Sequence, residues 1–302
     1  MDEYQKYFTD SKNPKITNLS LLPEDREKPT YRRVKVIYEA IDDKGKAYKV
    51  LAYYTLINED GKWKILWVGK LKELASDQLN KGFYDEAIKR YEEILSVDPY
   101  DGEAYEYIGW CYMREGKGEK AISNIKKAIA IEPDEPAHYN AMTSYYYNKK
   151  LYSLAVENIK KAISFEYGSD SDMSAWYGNL SISYAEQKDY KNALEAVNKA
   201  VELYPNNVHA LWHKGAILLG TKGVKQGAVE AKEMFLKALE TNEKNKEKLE
   251  GTLLGQIYYR LAIVENFLKD YSNAKKHIMQ ALEIDPEDKD YQKIYYAIKI
   301  NE

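Results

Sequence analysis

Six alanines, Ala87, Ala121, Ala155, Ala193, Ala231 and Ala274, recur in the same setting of small, aliphatic and aromatic residues. The segments GFYDEAIKRYEEILSVDP, KDYKNALEAVNKAVELYP and KDYSNAKKHIMQALEIDP show the pattern, which returns at roughly 34 residues. A repeat this short cannot bury its apolar face alone and must stack on its neighbours. The chain is therefore expected to form a helical array and not one closed globule. Arrays of this kind present long surfaces, so the first functional expectation is the holding of a partner.

Bulk properties exclude several alternatives. The formal charge of the 302 residues is −3, with 13 basic and 11 acidic side chains in residues 1–67 and 32 and 37 in the remainder. No segment has the basic excess of a nucleic-acid or anionic-membrane binder. No apolar run reaches the length of a membrane span. Cys111 is the single cysteine, so no intrachain disulfide can form, and its apolar neighbours point to a buried inert thiol. Tyrosine is abundant at 29 copies against five phenylalanines, which suits open surfaces over a shallow core. The N-terminus, MDEYQKYFTD, has neither the basic start nor the apolar stretch of a leader peptide. Cytoplasm is the default expectation, with export after removal of a leader as the alternative.

From Lys15 to Val68 the apolar residues alternate with period two. Val34, Val36, Tyr38 and Ala40 share one face of a strand, as do Tyr48, Val50, Ala52, Tyr54 and Leu56 of the next, and Trp63, Ile65 and Trp67 of a third. Asp43-Lys44-Gly45 and Glu59-Asp60-Gly61 supply the turns. With KITNLSLL (residues 15–22) as a weaker strand, this predicts an antiparallel meander after a short helix near Glu3–Phe8. The closing hairpin NEDGKWKILWV resembles the C-terminal half of the nuclear transport factor two-like, cystatin-like α+β family. That family's helices should precede its strands, and here only a stub does, so the first repeat helices are expected to cover the sheet.

From Leu71 onward the period is helical, and the chain resembles the tetratricopeptide repeat family over about three quarters of its length. Each unit has a small residue midway along its first helix: Ala75, Gly109, Thr143, Ser181, Gly215 and Ala262. In five units the second helix carries a second alanine: Ala128, Ala162, Ala200, Ala238 and Ala281. Small side chains allow two helix backbones to approach closely. Tyr84, Tyr152, Tyr190 and Tyr271 precede the second helices, with Gly118 and Val224 as exceptions, and Pro99, Pro133, Pro205 and Pro286 stop them. Three departures stand out: FEYGSDSD adds about four residues after the third unit, GTKGVKQGAVEAK enlarges the turn of the fifth, and EKNKEKLEG lengthens the first helix of the sixth. KDYQKIYYAIKI reads as a capping helix. The expected fold is mostly α: a six-repeat α-α superhelix with capping helix over residues 68–302, and a small antiparallel β module over 1–67. The module is expected to cap the first repeat by burying Leu71, Leu74 and Leu79.

The resemblance implies that the first helices line a concave binding face. Carried over position by position, that face would present Glu106, Trp110 and Arg114, then Asn140, Tyr147 and Asn148, then His209 and Trp212, and finally Tyr259 and Asn266. Aromatic anchors with amide side chains suit an extended peptide or a partner helix; the competing reading is that the aromatics pack between units as core. Some relatives grip a peptide carboxylate with basic and amide side chains, but of the matching positions Lys72, Ser76, Tyr107, Ala137 and Ala141 only Lys72 fits. His209 and His213 fall one helical turn apart and read as a surface pair without the further ligands a metal needs. No phosphate-binding loop, nucleophile elbow or paired acid/base setting is present, and the paired carboxylates at Glu24-Asp25 and Asp42-Asp43 read as solvated turn residues. The sequence thus points to a non-enzymatic scaffold, without metal or cofactor, for a protein or peptide segment. The alternative gives the sheet a small-ligand or catalytic pocket lined by Tyr38, Tyr54, Trp63 and Trp67, with the array as docking arm. Self-association is a third expectation, because the glycine-rich turn and tyrosine surfaces could mate between copies.

Overall fold

The computed structural model describes residues 16–22, 31–42, 45–59, 62–66, 68–221, 224–245 and 251–301. The short helix expected near Glu3–Phe8 lies outside them. Among the described residues are a four-stranded sheet and thirteen helices. Two compact units separate at Ser169/Asp170, where FEYGSDSD adds its extra residues.

The first unit opens with the sheet. Strands β1 (Ile16–Leu21), β2 (Tyr31–Ile41), β3 (Ala47–Glu59) and β4 (Lys62–Ile65) pair antiparallel in sequence order. The register sets Val34 opposite Tyr54, Val36 opposite Ala52, Tyr38 opposite Val50 and Leu56 opposite Ile65. Val34, Val36 and Leu56 are fully buried on that face, with Tyr38, Tyr54 and Ile65 packed around them. Period-two alternation therefore identified the apolar face, because successive side chains of a strand point to opposite sides.

Three helical hairpins complete this unit: α1 (Gly69–Asn80) with α2 (Tyr84–Val97), α3 (Gly102–Arg114) with α4 (Gly118–Ile131), and α5 (Pro136–Asn148) with α6 (Tyr152–Ser164). Ala75 of α1 joins Ala87, Tyr91 and Ile94 of α2 and Ala104, Ile108 and Cys111 of α3 in one core. Ala121 and Ile125 of α4 then pack with Ala141, Met142 and Tyr145 of α5. Each core is thus shared between one hairpin and the first helix of the next, which is how stacked repeats bury what a single hairpin cannot. Burial pushes the Cys111 thiol up to about 12, consistent with an inert side chain.

The sheet does not close the end of the first hairpin in the way the sequence led us to expect. Leu74 is 44% exposed, while Leu71 and Leu79 pack in the α1–α3 core beside Val68. The opposite face of the sheet meets the turns between hairpins instead. Arg33 donates to the Ile131 carbonyl at 2.9 Å, Lys35 pairs with Asp134, and the Gly168 N–H donates to the Lys49 carbonyl at 2.8 Å. The face that reads as polar and solvated is therefore the one that contacts the repeats.

The second unit contains hairpins α7 (Asp170–Glu186) with α8 (Tyr190–Leu203), α9 (Val208–Thr221) with α10 (Val224–Lys244), and α11 (Thr252–Phe267) with α12 (Tyr271–Ile284), closed by α13 (Lys289–Asn301). Phe235, Ala231 and Ala238 of α10 bridge Leu211 and Leu218 of α9 to Ile257 and Leu261 of α11. Tyr291 and Ile298 of α13 cover Ala262, Ala274 and Ala281, as expected of the capping helix. Two departures resolve differently from the sequence reading. Gly220 and Gly227 lie inside α9 and α10 and not in the enlarged turn expected there, while Lys222 and Gly223 lie outside the described residues. A Cβ on Gly220 would stand 2.7 Å from the Tyr190 ring, so this glycine serves close packing. Of the stretch expected to lengthen the first helix of the sixth unit, Glu243 and Lys244 end α10, Gly251 directly precedes α11, and residues 246–250 lie outside the described residues.

The six opening alanines and the five second alanines are all fully buried. At Gly215 the approach is tighter still, since a Cβ there would lie 2.5 Å from the buried Phe235 ring. Gly215→Val is expected to destabilise the protein by roughly 1–3 kcal/mol through overpacking. Thermal or denaturant unfolding monitored by circular dichroism checks this, and an unchanged midpoint would contradict the packing account.

Candidate functional site

Two turns of near-identical chemistry, Asp98-Pro99-Tyr100-Asp101 and Glu132-Pro133-Asp134-Glu135, join the hairpins of the first unit. Proline ends the preceding helix, and the last acid of each turn caps the next one. Asp101 accepts from the Ala104 N–H at 2.8 Å, and Glu135 from the Ala137 N–H at 3.4 Å. These turns, the start of the first helices and the polar face of β2 and β3 enclose a cavity of about 310 Å³. Its walls include Arg33, Tyr53 and Thr55 from the sheet, Lys72 and Tyr107 from the helices, and six carboxylates.

Its anchor is His138, whose side chain is 1% exposed. Nδ1 lies 2.6 Å from Glu106 and Nε2 lies 3.0 Å from Glu132. Burial alone would lower the imidazolium pKa, but hydrogen bonds to two carboxylates outweigh it and raise the value to about 10. His138 is therefore a cation held between two anions. Glu132 also accepts from Arg33 at 2.9 Å and from the Gly102 N–H at 3.4 Å. Gly102 makes room for this, because a Cβ there would stand 2.4 Å from Glu132 and 2.9 Å from His138. Arg33 further lies over the rings of Tyr53 and Tyr100, 5.3 and 5.8 Å from their centroids.

Lys72, the one position compatible with a peptide-carboxylate grip, contacts Asp101 at 2.7 Å and Glu103 at 2.6 Å. Its charge is already answered by the protein. Among the described residues no cation stands at bonding distance from Asp98 or Glu135. Asp98 accepts from the Tyr100 N–H at 3.1 Å, and burial pushes its carboxyl up to about 6 against a lowering hydrogen bond from Thr55. Burial likewise pushes Glu135 up to about 7, with the charge of His138 opposing the rise.

Of the sequence-derived positions in the first unit, Glu106 lines this cavity, and Trp110 donates its indole N–H to Glu106 at 3.3 Å. Trp110 also packs against the α4–α5 core. Asn140 and Tyr147 are half-buried on α5, with the Tyr147 ring edge-on to Tyr152, while Arg114 and Asn148 are exposed. In the second unit His209 is exposed, Trp212 is half-buried against the α9–α11 core, and Tyr259 contacts Tyr291 at 5.1 Å. Asn266 is half-buried on α11. His209 and His213 are not a surface pair, for His213 is buried and its pKa falls to about 3 by desolvation. No cluster of metal-ligating side chains occurs among the described residues. Tyr38 and Tyr54, expected to line a pocket in the sheet, pack in its own core on the face away from the cavity; the side chains of Trp63 and Trp67 lie outside the described residues.

The sequence reading missed Arg33, Asp98, Glu135 and His138. The recurring acid-Pro-x-acid turn, in DPYD and EPDE, was the available signal.

Comparison with known proteins agrees with this architecture. Tetratricopeptide repeat models match residues 72–136, 174–207 and 255–288. The chain thus carries tetratricopeptide repeats in its helical part, with a small antiparallel sheet in its N-terminal region. Pseudomonas aeruginosa PilF is similar at 16% identity over 76% of this chain and 96% of its own, with a TM-score of 0.59. PilW, a type IV pilus biogenesis factor, is similar at 16% identity over 74% and 96%, with a TM-score of 0.61. The Cut9–Hcn1 structure of the APC/C gives 15% identity over 75% of this chain and 42% of its own, with a TM-score of 0.65. These identities establish fold alone. No curated protein sequence matches the chain.

The raised carboxyls have a consequence for stability. A carboxyl that holds its proton more tightly when folded contributes stability at low pH and loses it as the pH rises through its folded pKa. For Glu135 that window runs from about 4.5 to about 7. Glu135→Gln is expected to match the wild type at pH 4 and to exceed it at pH 8, by roughly 3 kcal/mol at most. Unfolding midpoints across this range check it, and a difference independent of pH would contradict it.

Proposed function

We propose that the protein is a non-enzymatic scaffold that binds a protein or peptide segment along its first helices. The observation that carries this reading is a division of labour within the hairpins. The packing that recurs from repeat to repeat is done by the second helices and by the small residues of the first, such as Ala75, Gly109 and Gly215. Asn140 and Tyr147 in one unit, and His209 and Asn266 in the other, keep part of their surface open. Amide and aromatic groups of this kind recognise backbone and apolar side chains together. Trp110 and Trp212 act as walls of that surface, since both also support a core. Glu106 belongs to the cavity's charge network and orients Trp110. The sheet's resemblance to the cystatin-like family would make it an accessory module, joined here to the repeat turns.

The test uses exposed positions so that folding is preserved. Peptides are selected against the full chain, and their affinity is remeasured for Arg114→Ala with Asn148→Ala and for His209→Ala. A loss of about tenfold or more, or about 1.4 kcal/mol, in at least one variant is expected. A matched variant on the second helices, Lys126→Ala with Glu195→Ala, should retain affinity. Equal binding by every first-helix variant would overturn the proposal.

A further inference from the structure

We infer that the cavity of the first unit binds a small ligand carrying a protonated amine beside an oxygen acceptor, the pattern of an amino acid or a short peptide end. The charge inventory of the walls leads there. Lys72 answers Asp101 and Glu103, while His138 answers Glu106 and Glu132, the latter shared with Arg33. Among the described residues Asp98 and Glu135 accept hydrogen bonds from neutral donors, the Tyr100 and Ala137 N–H groups and the Thr55 hydroxyl, and feel Arg33, Lys72 and His138 only across space, so that six carboxylates face three cations in the walls. Desolvated carboxylates in excess of their cations are costly unless a further counter-charge arrives. A protonated amine supplies one.

A second observation, independent of the acids, completes the pattern. Among the described residues Arg33 Nε is buried without a hydrogen-bond acceptor, and it lines the same cavity as the Tyr53 hydroxyl, which receives the Asp134 N–H and keeps its own proton to donate. The Arg33 side chain is only 11% exposed, so an acceptor that reaches it is bonded away from bulk solvent. An oxygen carried by the ligand would satisfy these donors. The volume of about 310 Å³ fits a molecule of amino-acid or dipeptide size and excludes a folded partner. Glu103, with its side chain 51% exposed, marks the opening. This site goes beyond the scaffold reading and uses none of the exposed positions that test it.

Isothermal titration calorimetry of the full chain provides the test. The probes are the standard amino acids, glycylglycine, N-acetylglycylglycine and a longer peptide with a free Gly-Gly start. Saturable binding is expected for at least one free-amine probe and is expected to weaken about tenfold or more on acetylation and in Asp98→Asn. Should Asp98→Asn fail to fold by circular dichroism, Glu135→Gln gives the same reading. Binding by the small probes assigns a free metabolite-sized ligand, and binding by the longer peptide alone assigns a protein N-terminus. Failure of every free-amine probe to bind, or undiminished binding after acetylation, would overturn the inference, while the first-helix peptide test would still stand.

Discussion

At Gly215 one added carbon would stand 2.5 Å from Phe235, and at Gly109 it would stand 2.7 Å from Ile125. This closeness between the first and second helix of a hairpin is the constraint on which the repeats rest. Small side chains at the crossing let the backbones approach, and larger neighbours then interlock around them. Within each unit the apolar stripe of a second helix also serves the following hairpin, so such a hairpin is not complete by itself. The cores shared among α1, α2 and α3, and among α9, α10 and α11, are this dependence in atomic form.

The sheet of the first unit is attached by different physics. Its apolar face gathers Val34, Val36 and Leu56 with Tyr38, Tyr54 and Ile65, and its polar face joins the repeats through charge. Desolvating Arg33, Glu132, His138 and Glu106 is expensive, and the expense is offset only because each bears several well-placed partners. Removing one member would leave the others buried and uncompensated. Such a network contributes geometric specificity as much as net stability: it fixes β2 against the turns and so shapes the cavity. The cavity in turn occupies the N-terminal end of the first helices, where Lys72 is neutralised by Asp101 and Glu103.

Much of the fold was legible because it depends on local period. The eleven alanines of the second helices, the prolines after α2, α4, α8 and α12, and the strand face of Val34 and Val36 all follow from spacing along the chain. The site was not legible, because it depends on partners far apart in sequence. Arg33 and Glu132 are 99 residues apart, and neither betrays burial alone. A strand alternating apolar with charged residues reads as one dry face and one wet face. Only the acids of the two inter-hairpin turns turn the wet face into an interface. Gly220 misled for a related reason: glycine marks both turns and close approaches, and here it makes room for Tyr190.

The central claim is that the sheet and the inter-hairpin turns fold as one piece through the buried Arg33–Glu132–His138–Glu106 network. Hydrogen–deuterium exchange on Arg33→Met in the full chain addresses it most directly. The account predicts faster exchange together in β2, in β3 and in the amides of residues 98–102 and 132–138. Accelerated exchange confined to the strands, with the turns as protected as in the wild type, would contradict it.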